Sequence, residues 1–270
     1  MRYKYDILHE MMVCEKIHIC GVGKYLKQYC RRAAFSTKET ILFLIVYLAI
    51  ERGGGRMREV DLMIFDFDGT LVSTGADLIA SVNYTLGRLG CGLRGDDEII
   101  SFVGDGVKEL IERSLGKDNQ ALYTEALKIF SSHYGEHFLD NTVLYPGAKE
   151  LLEHYRHKKK VILTNKRYPF TLGISKGLGI EKYFEEIIGD GSFPYRKPDK
   201  RLVDYLLDKY KLEKEKVVII GDGLNDIALA KNSGILSCVY LNGLGKRIDL
   251  LAARADYYCE SLGEISSVFC

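Results

Sequence analysis

Only 4 prolines occur in the 270 residues, so no Pro-rich linker divides the chain. No segment is low in complexity or internally repeated. The 7 cysteines, at positions 14, 20, 30, 91, 238, 259 and 270, are odd in number, and no two are spaced C-x-x-C. That argues against a disulfide framework or a structural zinc site and for a reducing, cytoplasmic compartment. Charge of one sign is also missing. With 38 basic and 37 acidic residues the formal charge is +1, so no nucleic acid is expected as an electrostatic partner. No apolar run reaches the roughly 20 residues that span a bilayer, and no membrane partner is expected. What is present, 47% hydrophobic and 28% charged residues, is ordinary for a soluble globular protein long enough for one large domain or a core plus a satellite.

Residues 1–57 differ from the rest and read as an N-terminal extension. They hold three cysteines and one dense apolar run, Ile41 to Ile50, preceded by Arg31 and Arg32. The run is far from the start, and no small-residue cleavage site follows it, so a secretory signal is not expected. Glu51-Arg52-Gly53-Gly54-Gly55-Arg56-Met57 reads like a translated purine-rich ribosome-binding site. One expectation is therefore that Met57 is the native start. The other is a poorly ordered extension or a helix packed on the core.

From Met57 the pattern is regular. Short apolar runs at Val60–Phe67, Val161–Thr164, Glu186–Ile188, Val217–Ile220, Cys238–Leu241 and Tyr257–Tyr258 alternate with helical stretches at Ala148–Arg156, Leu202–Tyr210 and Asp226–Ser233. Continuous apolar strands separated by helices predict an α/β fold, a doubly wound parallel sheet covered on both faces. One region breaks the alternation. Asp77–Leu89, Glu98–Phe102, Val107–Leu115 and Gln120–Phe138 all read as helices. Residues 74–141 are therefore expected to be a small α-helical cap inserted into a core of 58–73 and 142–270.

Ligands of open α/β sheets bind at the carboxyl ends of the strands. Four of those ends carry polar groups: Asp66-Phe67-Asp68-Gly69-Thr70-Leu71, Thr164-Asn165-Lys166, Arg196-Lys197-Pro198-Asp199 and Gly221-Asp222-Gly223-Leu224-Asn225-Asp226. Taken singly, most have bland readings. An Asp-Gly after a strand is a turn, Thr164 and Asn165 cap a helix, and Asp222 and Asp226 are a cap and a solvated face. The ordered set is what carries weight, because it gathers acids, a hydroxyl, an amide and a lysine at one crevice. Gly104-Asp105-Gly106 is either a loop facing that crevice or a plain turn between helices.

The set resembles the haloacid dehalogenase superfamily, in its phosphatase branch with a small helical cap, over essentially all of residues 58–270. The resemblance implies a HAD-like, Rossmannoid core and a magnesium-dependent phosphohydrolase. Asp66 would be the nucleophile and form an aspartyl-phosphate. Asp68 would be the general acid/base, which a halide leaving group does not need and a phosphate ester does. Neighbouring carboxylates and the incoming phosphate are expected to favour the protonated form of Asp68. Mg2+ would be held by the Asp66 carboxylate, the Asp68 backbone carbonyl and the Asp222 carboxylate. Asp226 would act through a water or by orienting Lys197. Thr164 and the Asn165 backbone would bind the phosphoryl oxygens, with Lys197 supplying charge to both nucleophile and phosphoryl group.

Within the superfamily, the stretches 68–78, Phe102–Gly106, Tyr145-Pro146-Gly147 and Thr164–Lys166 are similar to those of phosphoglycolate phosphatases. Two positions depart from that pattern. Lys200 stands where a second proline is usual, and Arg167 where a proline often follows T-N-K. The expected partner is a small phosphorylated metabolite; pyrophosphate, β-glucose-1-phosphate, sugar phosphates and nucleotides are alternatives. A non-catalytic phosphate-sensing module is the reading from another class. Lys108 and Arg113 are candidates to meet a substrate carboxylate. Monomer and homodimer both remain open.

Overall fold

The computed structural model describes residues 57–270, so the expectations for residues 1–56 and the Ile41–Ile50 run lie outside the described residues. At the centre is β1 (Leu62–Phe65), four residues that are all buried. Leu62 and Ile64 pack into one apolar cluster, and Met63 and Phe65 into another. A period of two thus buries every residue, because both sheet faces are covered. Beside β1 lie β4 (Lys159–Arg167) and β6 (Val217–Gly221), with β5 (Glu186–Asp190), β7 (Leu236–Tyr240) and β8 (Tyr257–Cys259) further out. The order is β5-β4-β1-β6-β7-β8, and every pairing is parallel. The expected doubly wound parallel sheet is present. The chain runs outward from β1 through β4 to β5, then returns to β6 on the other side. Such a reversal opens a crevice at the strand ends.

The first run is shorter than expected. Arg58 bridges to Phe269, and the Val60 amide donates to the Cys270 carbonyl, so residues 58–60 clip the C-terminus rather than extend β1. Two short strands, β2 (Val72–Ser73) and β3 (Val143–Leu144), pair antiparallel. Four helices lie between them: α1 (Gly75–Arg88), α2 (Asp96–Ile100), α3 (Val107–Leu115) and α4 (Tyr123–His137). Leu78, Val82 and Leu86 recur every fourth residue along α1. They meet Leu110, Ile111 and Leu115 of α3 and Ala126, Phe130 and Tyr134 of α4 in a separate apolar cluster. The buried carboxylate of Asp77, at the start of α1, accepts from the backbone amides of Asn141 and Thr142 and from the Thr142 hydroxyl. One side chain thereby joins the two chain crossings.

The flanking helices are α5 (Ala148–His154), α6 (Tyr168–Gly177), α7 (Arg201–Tyr210), α8 (Leu224–Ser233), α9 (Arg247–Ala253) and α10 (Ile265–Val268). None of the described helices is long and apolar enough to cross a membrane. The four described cysteines, 91, 238, 259 and 270, are free thiols.

Candidate active site

Asp66 follows β1 directly, and its amide still donates to the Ile220 carbonyl of β6 at 2.8 Å. Its carboxylate is buried and accepts from the Phe67 amide at 2.7 Å. Lys197 Nζ lies 2.8 Å from Asp66 Oδ1 and 2.7 Å from Asp226 Oδ1. Burial alone would lower the Lys197 pKa, but Asp226 and Asp66 outweigh it and hold the ammonium well above its ordinary range. Of the two roles left open for Asp226, the structure places it directly against Lys197.

Asp222 directly follows β6 and faces Asp66. Oxygens of Asp66, Asp222 and Asp226 lie within 4.8 Å of one another. Burial, then the charge of Asp66, pushes the Asp222 carboxyl up to about 8 and that of Asp226 up to about 7. Three buried carboxylates lie together and the one ammonium among them, Lys197, pairs with only two, Asp66 and Asp226, so the donor set is hard, oxygen-rich and short of positive charge. That fits a divalent cation such as Mg2+. The Thr70 hydroxyl donates to Asp222 Oδ1 at 2.6 Å, and the Leu244 amide to Oδ2 at 2.7 Å. Gly69 makes this cradle possible. Its φ is +87°, and a side chain there would fall on the Asp222 carboxylate.

Asp68 meets a different environment from the one expected. Lys166 Nζ lies 3.0 Å from its Oδ1, and the Thr74 hydroxyl donates to the same oxygen at 2.7 Å. Lys166 also donates to the Tyr134 hydroxyl of α4 at 2.7 Å. An ammonium and a hydroxyl, both donors, hold this carboxylate in place. Burial raises the Tyr134 phenol to about 12. For Lys166, burial acts downward, and Asp68 and Tyr134 more than offset it, so the ammonium persists.

The register of β4 shifts between Leu163 and Arg167. Thr164, Asn165 and Lys166 lie within that irregularity, and all three are buried. Asn165 acts as a strut. Its Oδ1 accepts from the Lys197 amide at 3.0 Å, and its Nδ2 donates to the Gly104 carbonyl at 3.0 Å. Asn225 Nδ2 donates to Asp105 Oδ1 at 2.8 Å. The Gly104–Gly106 turn therefore faces the crevice, where it ties the inserted helices to two strand ends.

Two cavities meet at Asp66 and Asp68. One lies under the inserted helices, bounded by Thr164, Lys166, Arg167, Tyr134, Phe130 and Phe170 among others. The other opens beside Asp222, Asp226, Leu244 and Lys246. Lys108 and Arg113 line neither. Lys108 pairs with Glu112 and Arg113 with Asp105.

The structure thus brings Asp66, Asp68, Thr164, Asn165, Lys197, Asp222 and Asp226 to one crevice. Thr70, Thr74, Tyr134, Asn225 and the Leu244 amide were not singled out from the sequence. Applying the strand-end rule to β7 as well points to the Leu244 loop. Tyr134 gave no signal, because it lies on the same apolar stripe as Phe130.

Residues 63–240 match the model of the haloacid dehalogenase-like hydrolases. The chain belongs to this family. It is similar to the phosphoglycolate phosphatase of Vibrio parahaemolyticus, 29% identical over 220 residues that cover 78% of this chain and 96% of that one. The phosphoglycolate phosphatase of Colwellia psychrerythraea is 35% identical over 189 residues, covering 67% and 84%. Among solved structures, a predicted phosphoglycolate phosphatase from Haemophilus somnus superposes with a TM-score of 0.75 at 25% identity, covering 79% of this chain and 99% of that one. The chain is a phosphatase of the haloacid dehalogenase-like family.

Proposed function

We propose that the chain hydrolyses 2-phosphoglycolate, or a close small phosphomonoester, in two steps through an aspartyl-phosphate. The reading takes residues 74–141 as a cap over a core of 58–73 and 142–270. In the first step an Asp66 oxygen forms a bond to phosphorus as the bond to the ester oxygen breaks. Asp68 gives that oxygen its proton. In the second step a water attacks the phosphorus and passes a proton to Asp68, while the Asp66 acyl-phosphate bond breaks and inorganic phosphate leaves. Lys197 holds Asp66 and offsets the phosphoryl charge. Thr164 and the Asn165 backbone donate to the phosphoryl oxygens. Mg2+ held by Asp66, Asp222 and the Asp68 carbonyl, with Asp226 indirect, would supply charge neutralisation at the phosphoryl group.

The observation that carries the reading is the shared position of the two acids. Asp66 is fixed by Lys197 at 2.8 Å, Asp68 by Lys166 at 3.0 Å, and both border the same cavity. The similarity to phosphoglycolate phosphatases over most of the chain supports the substrate. The test is turnover of 4-nitrophenyl phosphate, 2-phosphoglycolate, pyrophosphate, β-glucose-1-phosphate and nucleotides, with and without Mg2+. Mg-dependent turnover led by 2-phosphoglycolate, and abolished in Asp66→Asn, is expected. No turnover by the wild type, or equal turnover by Asp66→Asn, contradicts it.

A further inference from the structure

The cavity under the inserted helices is lined by two cations, and only one of them is neutralised. Lys166 is committed to Asp68 and Tyr134. Arg167, the next residue, lines the same cavity, and no described carboxylate holds its guanidinium. Its polar contact is the Ser131 hydroxyl of α4, at 3.4 Å, and its guanidinium carbon sits 5.9 Å from the centre of the Phe170 ring. Lys246 borders the second cavity, on the side of Asp222 and Asp226, and the remaining basic groups around this crevice are taken. Arg196 pairs with Glu109, Arg113 with Asp105 and Lys197 with Asp66 and Asp226.

The rest of the wall on that side is apolar, from Leu78, Val107, Leu110, Phe130 and Phe170. A half-buried guanidinium facing such a wall, with no acid beside it, lacks a counter-charge. The cavity volume is only about 50 Å³, which favours a group of few atoms. A planar carboxylate matches the fork of a guanidinium with two parallel hydrogen bonds.

We propose that Arg167 forms an anion subsite that selects a phosphomonoester whose leaving group carries a carboxylate, with the Ser131 hydroxyl beside it. The inference rests on the phosphatase reading of the same site and narrows its substrate class. Arg167 holds the carboxylate, the strand ends hold the phosphoryl group, and the ester oxygen lies between them near Asp68.

Binding tests the subsite apart from turnover. Calorimetry with Mg2+ compares 3-phosphonopropionate, in which a methylene replaces the ester oxygen of 2-phosphoglycolate, with 3-hydroxypropylphosphonate, in which a neutral hydroxymethyl group replaces the carboxylate. The wild type is expected to bind the carboxylate at least about tenfold more tightly, as one charge-assisted contact warrants. Arg167→Gln, which keeps a polar group of similar reach, should reduce that ratio to about twofold. Arg167→Lys should restore part of it. The ratio is internal to each protein, so a general loss of fold lowers both affinities and cannot mimic the result. Equal affinities in the wild type, or an unchanged ratio in Arg167→Gln, overturn the proposal. If the ratios behave as expected while 2-phosphoglycolate is not hydrolysed, the subsite stands and the substrate reading fails.

Discussion

Asp66 and Asp68 are two residues apart, yet each is held by a different lysine, Lys197 and Lys166 respectively. That separation is what the two roles require. The nucleophile must stay charged and aimed, while the acid must be held where the ester oxygen departs. Asp68→Asn should therefore lower kcat/KM for an alkyl phosphate by about 10²–10⁴-fold. It should lower kcat/KM for 4-nitrophenyl phosphate far less, because that leaving group departs without a proton. Steady-state kinetics on both esters checks this; equal losses contradict it. Gly69→Ala should cost about 1–3 kcal/mol of stability through strain and displace the Asp222 carboxylate, which thermal unfolding and Mg2+ titration would read. At this scale the motif residues were legible because acids at strand ends have few other uses together. Lys166 was visible in the same tripeptide, but its partner was not. Tyr134 lies 32 residues upstream, and nothing local in the sequence links the two.

Elements were legible where one period dominates. The apolar runs of β1, β4 and β6 are buried on both faces, and α1, α3, α4 and α7 carry clear stripes. The shortest elements were not. β2 and β3 have two residues each, too few for any alternation to register. α6 (Tyr168–Gly177) contains Pro169, Gly173 and Gly177, which weaken a helical pattern. The structure gives Gly173 a use, since a side chain there would press on the Phe138 ring. Asp77 looked like an ordinary helix-start acid and instead joins the two crossings of the chain. Asp77→Ala would strand the Asn141 and Thr142 amides and the Thr142 hydroxyl. It should cost about 1–3 kcal/mol, seen as a lower unfolding midpoint and faster amide exchange at residues 141–144. Unchanged exchange there would show that β2 and β3 hold the crossings without it.

Across the whole molecule, folding gathers three carboxylates around one ammonium, and the molecule is short of positive charge there. Asp222 and Asp226 bind protons more tightly folded than unfolded, with folded values of about 8 and about 7 against about 4 in the unfolded chain. The sign follows by linkage: stability of the metal-free protein falls as pH rises from about 4 through about 8. Mg2+ should reverse the loss, stabilising by about 2.7 kcal/mol at a hundred times its Kd. Asp222→Asn should unfold at a higher temperature than the wild type in chelator and respond little to Mg2+. A Mg2+ shift equal to that of the wild type would place the metal elsewhere. The central claim is the covalent step at Asp66, and its most direct test is chemical trapping. Enzyme turning over 2-phosphoglycolate with Mg2+ is quenched and treated with borohydride, which reduces an aspartyl-phosphate to homoserine. Peptide mapping should find homoserine at position 66 only when substrate was present, and none in Asp66→Asn. Steady turnover with residue 66 unmodified, or the modification at another residue, would contradict the account.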